Sequence, residues 1–357
     1  MSLEDMRKQI DALDVELVRL LNERIKAAIE IGRLKQETGQ EIYVPAREKV
    51  VLDRVMQLNQ GPLHDTSICA IYREIMSAAL ALEHDLKIAY LGPQATFTHQ
   101  AARSRFGASV HYEACQTIAD VFAAVEKKRA DYGVVPIENS TEGAVTHTLD
   151  EFSNTKLKIC AEIFLPISHH MMAAIPREQI RKLYSNPQVF GQCRQWLHDH
   201  MPGVDLVAVS STARAAEMAS KETDSGALAS DLAAELYGLT ILARDIQDLG
   251  GNTTRFLVVG KTFGEATGRD KTSLCFGVTH KAGALCAALD VLRAHGLNMT
   301  KIESRPSKGR QWEYYFFVDV EGHVSDPGVR DALKALDEHC SVLTVLGAYP
   351  RAMMQEA

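Results

Sequence analysis

Cysteine is sparse and unpaired in this sequence of 357 residues. Seven stand at positions 69, 115, 160, 193, 275, 286 and 340, and no two form a C-x-x-C. An odd, scattered set argues against a disulfide framework or a zinc ribbon and for reduced thiols. Also missing is an uncharged apolar run of the ~18 residues that a membrane span requires. The nearest stretch, 163–176, is interrupted by Ser168, His169, His170 and two prolines. The opening Met1-Ser2-Leu3-Glu4-Asp5 is polar and acidic, with no apolar segment behind it. No signal peptide is expected, and the predicted location is the cytoplasm. Positive charge is in deficit, with 39 Lys and Arg against 46 Asp and Glu and a net charge of -7. Broad nucleic-acid binding is therefore not expected. Neither a G-x-G-x-x-G turn nor a G-x-x-x-x-G-K-[ST] loop occurs, so no nucleotide cofactor is implied, and no metal.

What is present changes style twice along the chain. From Leu3 to about Gln36 there is no proline and one glycine, Gly32. Leu3, Met6, Ile10, Leu13, Leu17 and Leu20 fall at alternating spacings of three and four, the seam of one long amphipathic helix ending at Thr38-Gly39. Such a helix spans roughly 50 Å, too long for one small domain to cover, which predicts a partner chain. Pro45 starts a second helix and Asp65 or Thr66 a third, running to about Leu82. From Lys87 short apolar strands alternate with helices, a pattern that predicts a parallel α/β architecture. The expected strands are Lys87–Leu91, Tyr132–Val135, Lys182–Tyr184, Leu206–Val209, Ala227–Ala229 and Phe256–Val259. Residues 260–271 read as a linker. From Thr272 the expected order is strand, helix, strand, strand, helix, strand, with strands including Met299–Ser304 and Glu313–Val320. That is the ferredoxin-like split arrangement. The expected domains are 1–85, 86–262 and 271–351.

Two cations interrupt the first helix's seam. Arg24 and Lys35 are eleven residues apart, about three turns, and so share a face. They read either as snorkelling side chains or as part of a site for a multiply anionic ligand. Glu83 ends an apolar stripe through Ile68, Tyr72, Ile75 and Ala79, an equally odd place for a charge. Together with Arg7, and with Arg47-Glu48 after Pro45, these residues resemble the all-helical chorismate mutase family over positions 1–85. The resemblance implies a pericyclic rearrangement of chorismate to prephenate, in which the protein holds the dianion compact and stabilises charge on its ether oxygen. It implies that Arg24 and Arg7 clamp the carboxylates, with Arg7 supplied by the partner chain. Arg47 joins the cationic cluster, Lys35 donates to the ether oxygen, and Glu48 binds the hydroxyl. Departures occur at Val44, where some members have an acid, at Ala79, where some have a serine, and at Glu83, where some have a glutamine. Glu83 must therefore be protonated to assist, and burial beside the ether oxygen is expected to raise its pKa.

In the α/β part, three strand ends enter helices through small polar residues: around Gly92-Pro93, around Asn139-Ser140-Thr141, and at Ser210-Ser211-Thr212. Such places suit small anions or are simple caps. The segment Asn252-Thr253-Thr254-Arg255-Phe256 resembles the signature of prephenate dehydratases. So do Pro136-Ile137-Glu138-Asn139-Ser140 and Tyr184-Ser185-Asn186-Pro187-Gln188 with Gln192. This resemblance spans about 86–262 and implies two α/β lobes, like a periplasmic binding protein, with the site in the cleft. It implies loss of water and carbon dioxide from prephenate, giving phenylpyruvate. Thr254 is then the donor to the leaving hydroxyl, Glu138 an alternative proton source, and Arg255 the carboxylate partner. Asn139, Ser140, Thr141, Ser185, Gln192, Ser211 and Thr212 would line the cleft.

The C-terminal part resembles the ACT regulatory domain, through Gly283-Ala284-Leu285 and Glu303-Ser304-Arg305-Pro306. The resemblance implies phenylalanine as effector, held between paired domains of two chains. The whole is expected to be a two-activity, phenylalanine-inhibited enzyme of phenylalanine biosynthesis, a homodimer or larger. Its fold class is multidomain: all-α, then two-lobed α/β, then α+β. Two other readings stand beside it. One is a dehydratase whose mutase part only dimerises; the other is a non-catalytic intracellular amino-acid sensor.

Overall fold

The computed structural model describes residues 2–38, 43–306 and 314–352. Gly39 of the expected helix stop and Glu313 of an expected strand lie outside them. One compact unit comprises residues 1–87 together with 105–111. It is built on three helices, α1 (Leu3–Thr38), α2 (Pro45–Leu58) and α3 (Asp65–Glu83). Surface pairs one turn apart support α1, such as Arg19 with Glu16 and Glu23, and Arg33 with Glu30 and Glu37. Each contributes only a few tenths of a kcal/mol, about 0.2–0.5. The apolar seam of α1 is exposed in the single chain: Leu13 shows 58% of its surface and Leu17 55%. Helix α3 packs against both α1 and α2.

The segment 105–111 was expected to belong to the next domain, and it packs with the helices. It is locked to α3 by Ala108 N donating to Glu74 Oε2 (3.0 Å) and Ser109 N donating to Ser77 Oγ (3.1 Å).

The second unit holds residues 88–104 and 112–357. Its elements begin with β1 (Lys87–Leu91), α4 (Phe97–Phe106), β2 (His111–Cys115), α5 (Ile118–Glu126), β3 (Tyr132–Asn139), β4 (Gly143–Ala144), α6 (Thr146–Phe152) and β5 (Lys158–Pro166). A second lobe follows with β6 (His170–Ala173), β7 (Lys182–Ser185), α7 (Pro187–Gln192), α8 (Arg194–His200), β8 (Asp205–Ala208), α9 (Thr212–Ala219), β9 (Ser225–Ala229), α10 (Asp231–Tyr237) and β10 (Thr240–Ala243). The chain then returns to the first lobe through β11 (Thr253–Gly260). Last come β12 (Asp270–Gly277), α11 (Ala284–Ala294), β13 (Met299–Pro306), β14 (Tyr314–Glu321), α12 (Pro327–Asp337) and β15 (Val342–Pro350), in the ferredoxin-like order expected.

The parallel expectation holds for β1 with β3 and for β7 with β8 and β9. It fails for β11, which runs antiparallel to both β3 and β5, and for β6, antiparallel to β9 and β10. β6 enters the second sheet straight from β5, and β11 returns to the first sheet from the second lobe, so no single βαβ crossover sets their direction. The second lobe is one five-stranded sheet in the order β10-β6-β9-β7-β8. The first lobe's sheet continues into the C-terminal one, giving β13-β14-β12-β15-β5-β11-β3-β1-β2 with β4 beside β3. The join is one parallel pairing, Gly347 with Ile159.

A Cβ at position 347 would collide with the Ile159 carbonyl. Gly347→Val is therefore expected to destabilise the fold by about 1–3 kcal/mol, read as a lower midpoint in urea denaturation. An unchanged midpoint would mean the join carries no packing constraint.

Candidate active sites

A pocket in the helical unit collects the out-of-place charges. Arg24 and Lys35 line it from α1, Arg47 and Glu48 from the first turn of α2, and Glu83 from the end of α3. Val44 and Ala79 also line it. Arg7 is exposed and is not among its lining residues. Burial raises the pKa of Glu83, while the charges of Lys35 and Arg24 pull it down. Gly32 on α1 lies against this side chain, for a Cβ there would stand 2.9 Å from Glu83 Cγ.

Among the lining residues that were not anticipated are Tyr43, Arg73 and Arg105. Arg105 Nε donates to the Tyr43 hydroxyl (2.7 Å), Tyr43 donates to Glu48 Oε2 (3.1 Å), and Arg105 Nη2 reaches the same oxygen (3.0 Å). A basic residue in the last turn of a helix ordinarily signals only a helix-dipole partner, which hides Arg105 from sequence reading.

In the second unit the register of β3 and β11 places Thr254 opposite Asn139, and Arg255 opposite Glu138. Asn139 Oδ1 receives the backbone N–H groups of Thr141 (3.0 Å) and Glu142 (3.1 Å) and the Thr141 hydroxyl (2.6 Å). Backbone N–H can only donate, so these contacts fix the amide's orientation. Its NH2 must then face the other way. It donates to Thr254 Oγ1 (2.7 Å) and to Asn252 Oδ1 (2.8 Å). Thr254 thus accepts a hydrogen bond, and its own O–H has no acceptor among the described residues. Ser140 ties the two strands, its Oγ accepting from Thr253 N (3.0 Å). Gln188 Nε2 donates to Glu142 Oε2 (2.9 Å), a link between the two lobes. Gln192 Oε1 pairs with His169 Nε2 at 2.8 Å. Ser211 caps α9 through Arg214 N, and Thr212 begins that helix.

Three sequence expectations need correction. Neighbouring strand residues face opposite ways, so Arg255 points away from Thr254. It is buried, with Nε on Glu162 (2.9 Å), Nη1 on Asp319 (2.6 Å) and Nη2 on the Tyr349 hydroxyl (3.0 Å). It is a partner for internal carboxylates, not for a substrate's. Burial alone would disfavour its charge, but Tyr349, Asp319 and Glu162 outweigh that and raise its pKa. Glu138 shares that face and is paired with Lys301 of β13 at 2.7 Å, which removes it as a proton source for Thr254's neighbourhood. Ser185 is wholly buried, its hydroxyl donating to the Leu228 carbonyl (2.9 Å), and lines no cleft surface.

In the C-terminal domain, Gly283, Ala284 and Leu285 line a pocket at the start of α11, with Lys281, Tyr314 and Phe316. Gly283 holds φ +81°, the left-handed region that favours glycine. Glu303, Ser304, Arg305 and Pro306 are not among this pocket's lining residues within one chain. Arg305 is paired instead with Asp150 of α6 at 3.1 Å.

Family models match the chain in three stretches: chorismate mutase type II over 6–84, prephenate dehydratase over 88–263 and the ACT domain over 272–338. A bifunctional chorismate mutase/prephenate dehydratase of Aquifex aeolicus is 50% identical over 359 residues, covering 99% of each chain. The chain belongs to this family. The corresponding enzyme of Neisseria gonorrhoeae is 47% identical, covering 98% of this chain and 97% of its own. Among solved structures, the prephenate dehydratase of Arthrobacter aurescens in complex with L-Phe superposes with a TM-score of 0.69 at 35% identity. It covers 76% of this chain and 92% of that one. The bifunctional enzyme thus has a helical mutase part, a two-lobed dehydratase part and an ACT domain. No helix among the described residues is long and apolar enough to cross a membrane.

Replacing Arg255 by Met would leave Glu162 and Asp319 buried, with Lys271 (2.8 Å from Glu162) as their one remaining cation among the described residues. The expected cost is about 3–5 kcal/mol of stability. A variant of unchanged stability whose only defect is a raised KM for prephenate would restore Arg255 as a substrate ligand.

Proposed function

We propose that the helical pocket performs the mutase step and the Asn139–Thr254 constellation the dehydratase step. The mutase reaction makes no bond to the protein. What it requires is cations for two carboxylates and a donor at the ether oxygen. Arg24 and the Arg7 of a second copy serve the first need, with Arg47 adding to the cationic cluster, and Lys35 serves the second, while Glu48 accepts from the substrate's ring hydroxyl. A second copy of this chain covers the exposed seam of α1 and supplies Arg7, making the enzyme a homodimer. Burial of such leucines stabilises by roughly 1.5–3 kcal/mol each, which favours a permanent pairing. A cytoplasmic setting agrees with the expected reduced thiols.

The dehydratase step consumes one proton, which comes from solvent. The ring hydroxyl leaves as water, the bond to the ring carboxylate breaks to release carbon dioxide, and its electron pair completes the aromatic ring. The observation that carries this reading is the orientation of Asn139. By donating to Thr254 Oγ1, it leaves the threonine hydrogen available for the departing hydroxyl and polarises it. A threonine is too weak an acid to ionise there, so its role is an oriented hydrogen bond. The pocket at Gly283–Leu285 takes phenylalanine, its carboxylate at the start of α11 and its ring near Leu285. Glu303–Pro306 of the facing ACT domain complete that site.

Chorismate turnover followed through prephenate to phenylpyruvate tests the division of labour. Lys35→Ala should lose only the first step and Thr254→Ala only the second, with saturating phenylalanine slowing the second in the parent. Loss of both steps in either variant would refute separate sites.

Glu83 gives the mutase a pH dependence. Its folded pKa is raised, and only the protonated carboxyl can donate to the ether oxygen. Mutase kcat should therefore fall as pH rises through the raised value. Glu83→Gln should flatten that limb, and a parent profile already flat would remove Glu83 from the chemistry.

A further inference from the structure

We propose that Arg105 is a positioning residue of the mutase site, acting through Glu48. The inference rests on the reading that Glu48 accepts from the substrate's ring hydroxyl. Arg105 lies within the stretch matched to prephenate dehydratase, yet it belongs to the compact helical unit.

Four observations combine. First, Arg105 and Tyr43 close a three-membered ring of hydrogen bonds on Glu48, with both donors on Oε2. That leaves Oε1 as the oxygen without a donor among the described residues, and so the one available to a ligand hydroxyl. Secondly, a glutamate at the start of a helix has free χ angles. A planar guanidinium that bonds both the carboxylate and its phenolic neighbour removes that freedom before substrate arrives. Thirdly, Tyr43 is buried, packs its ring on Phe106 (centroids 4.8 Å apart), and burial raises the pKa of its phenol, so it stays a neutral donor. Fourthly, Arg105 is itself held, because the residues that follow it are pinned to α3 through Glu74 and Ser77. A Cβ at Gly107 would stand 2.5 Å from Ser77 Cβ, so the backbone there has no room to shift.

A cation at this place also has an electrostatic consequence. The pocket must receive a dianion while keeping the carboxylate of Glu48. Arg105 offsets that carboxylate locally, so that it takes up less of the positive charge Arg24 and Arg47 present to the ligand.

The test uses the full-length enzyme, with dehydratase turnover of added prephenate as the sign that the chain is folded. Arg105→Ala should lower mutase kcat/KM by about ten- to a hundredfold, as expected for a lost charge-assisted bond. Arg105→Lys, which keeps the charge but cannot bridge both partners, should recover part of this. Tyr43→Phe, which keeps the ring on Phe106, should give a smaller loss. In a Glu48→Gln background, Arg105→Ala should cost little more. With a chorismate analogue lacking the ring hydroxyl, parent and Arg105→Ala should differ little. Equal losses with and without the hydroxyl, or strict additivity with Glu48→Gln, would overturn the inference, since Arg105 would then act elsewhere. A silent Glu48→Gln would refute the reading of Glu48 and this inference with it. A damaging Glu48→Gln beside a silent Arg105→Ala would overturn the inference alone.

Discussion

Two carboxylates and two cations are buried together where the dehydratase sheet meets the regulatory domain, and much else follows from that cluster. Glu162, Asp319, Arg255 and Lys271 sum to no net charge, and Ser273 and Tyr349 take up further hydrogen bonds. Any one of these charges alone in the interior would be severely costly, so each requires the others. Arg255 must face that cluster, and β11 is a strand. Thr254 must therefore face the opposite way, beside Asn139. In the proposed dehydratase step, the hydroxyl of Thr254 is thus aimed by a buried charge on the opposite face of its strand. The regulatory domain supplies Lys271, Ser273, Asp319 and Tyr349, so it is part of the dehydratase's interior chemistry as well as its neighbour.

Both proposed sites orient a weak group. Asn139 is fixed by two backbone donors and a hydroxyl before it turns its NH2 to Thr254. Glu48 is fixed by Tyr43 and Arg105 before it meets a ligand. Such orientation suits the two proposed reactions, whose bonds rearrange largely within the substrate and for which geometry and a few well-placed hydrogen bonds supply most of the acceleration.

How much of this was legible depended on whether the deciding partner lies nearby in sequence. The α1 seam, the shared face of Arg24 and Lys35, and the ferredoxin-like order follow from local periodicity and were read correctly. The separate roles of Thr254 and Asn139 came from resemblance; their pairing needed the register of two strands, the two residues lying 115 positions apart. Arg255 was misread because its partners lie 64 to 94 positions away, in strands whose placement no local pattern reveals. β5 escaped because Glu162 sits in its middle, where an apolar pattern was sought. Its burial makes sense only once Arg255 and Lys271 arrive. Arg105 escaped for a related reason, lying past an expected domain boundary that the packing does not respect.

Gly32 illustrates a different dependency. Glycine inside a long helix costs about 1 kcal/mol relative to alanine. Here it makes room for the side chain of Glu83, whose Cγ would stand 2.9 Å from any added Cβ. The two positions form a compensating pair: a long side chain at 83 obliges a glycine at 32, and a short one there would release α1 to take alanine and gain helix stability. Among homologues the two columns should vary together, so this protein's family history is expected to carry the imprint of the side chain at 83 on a position one helix away.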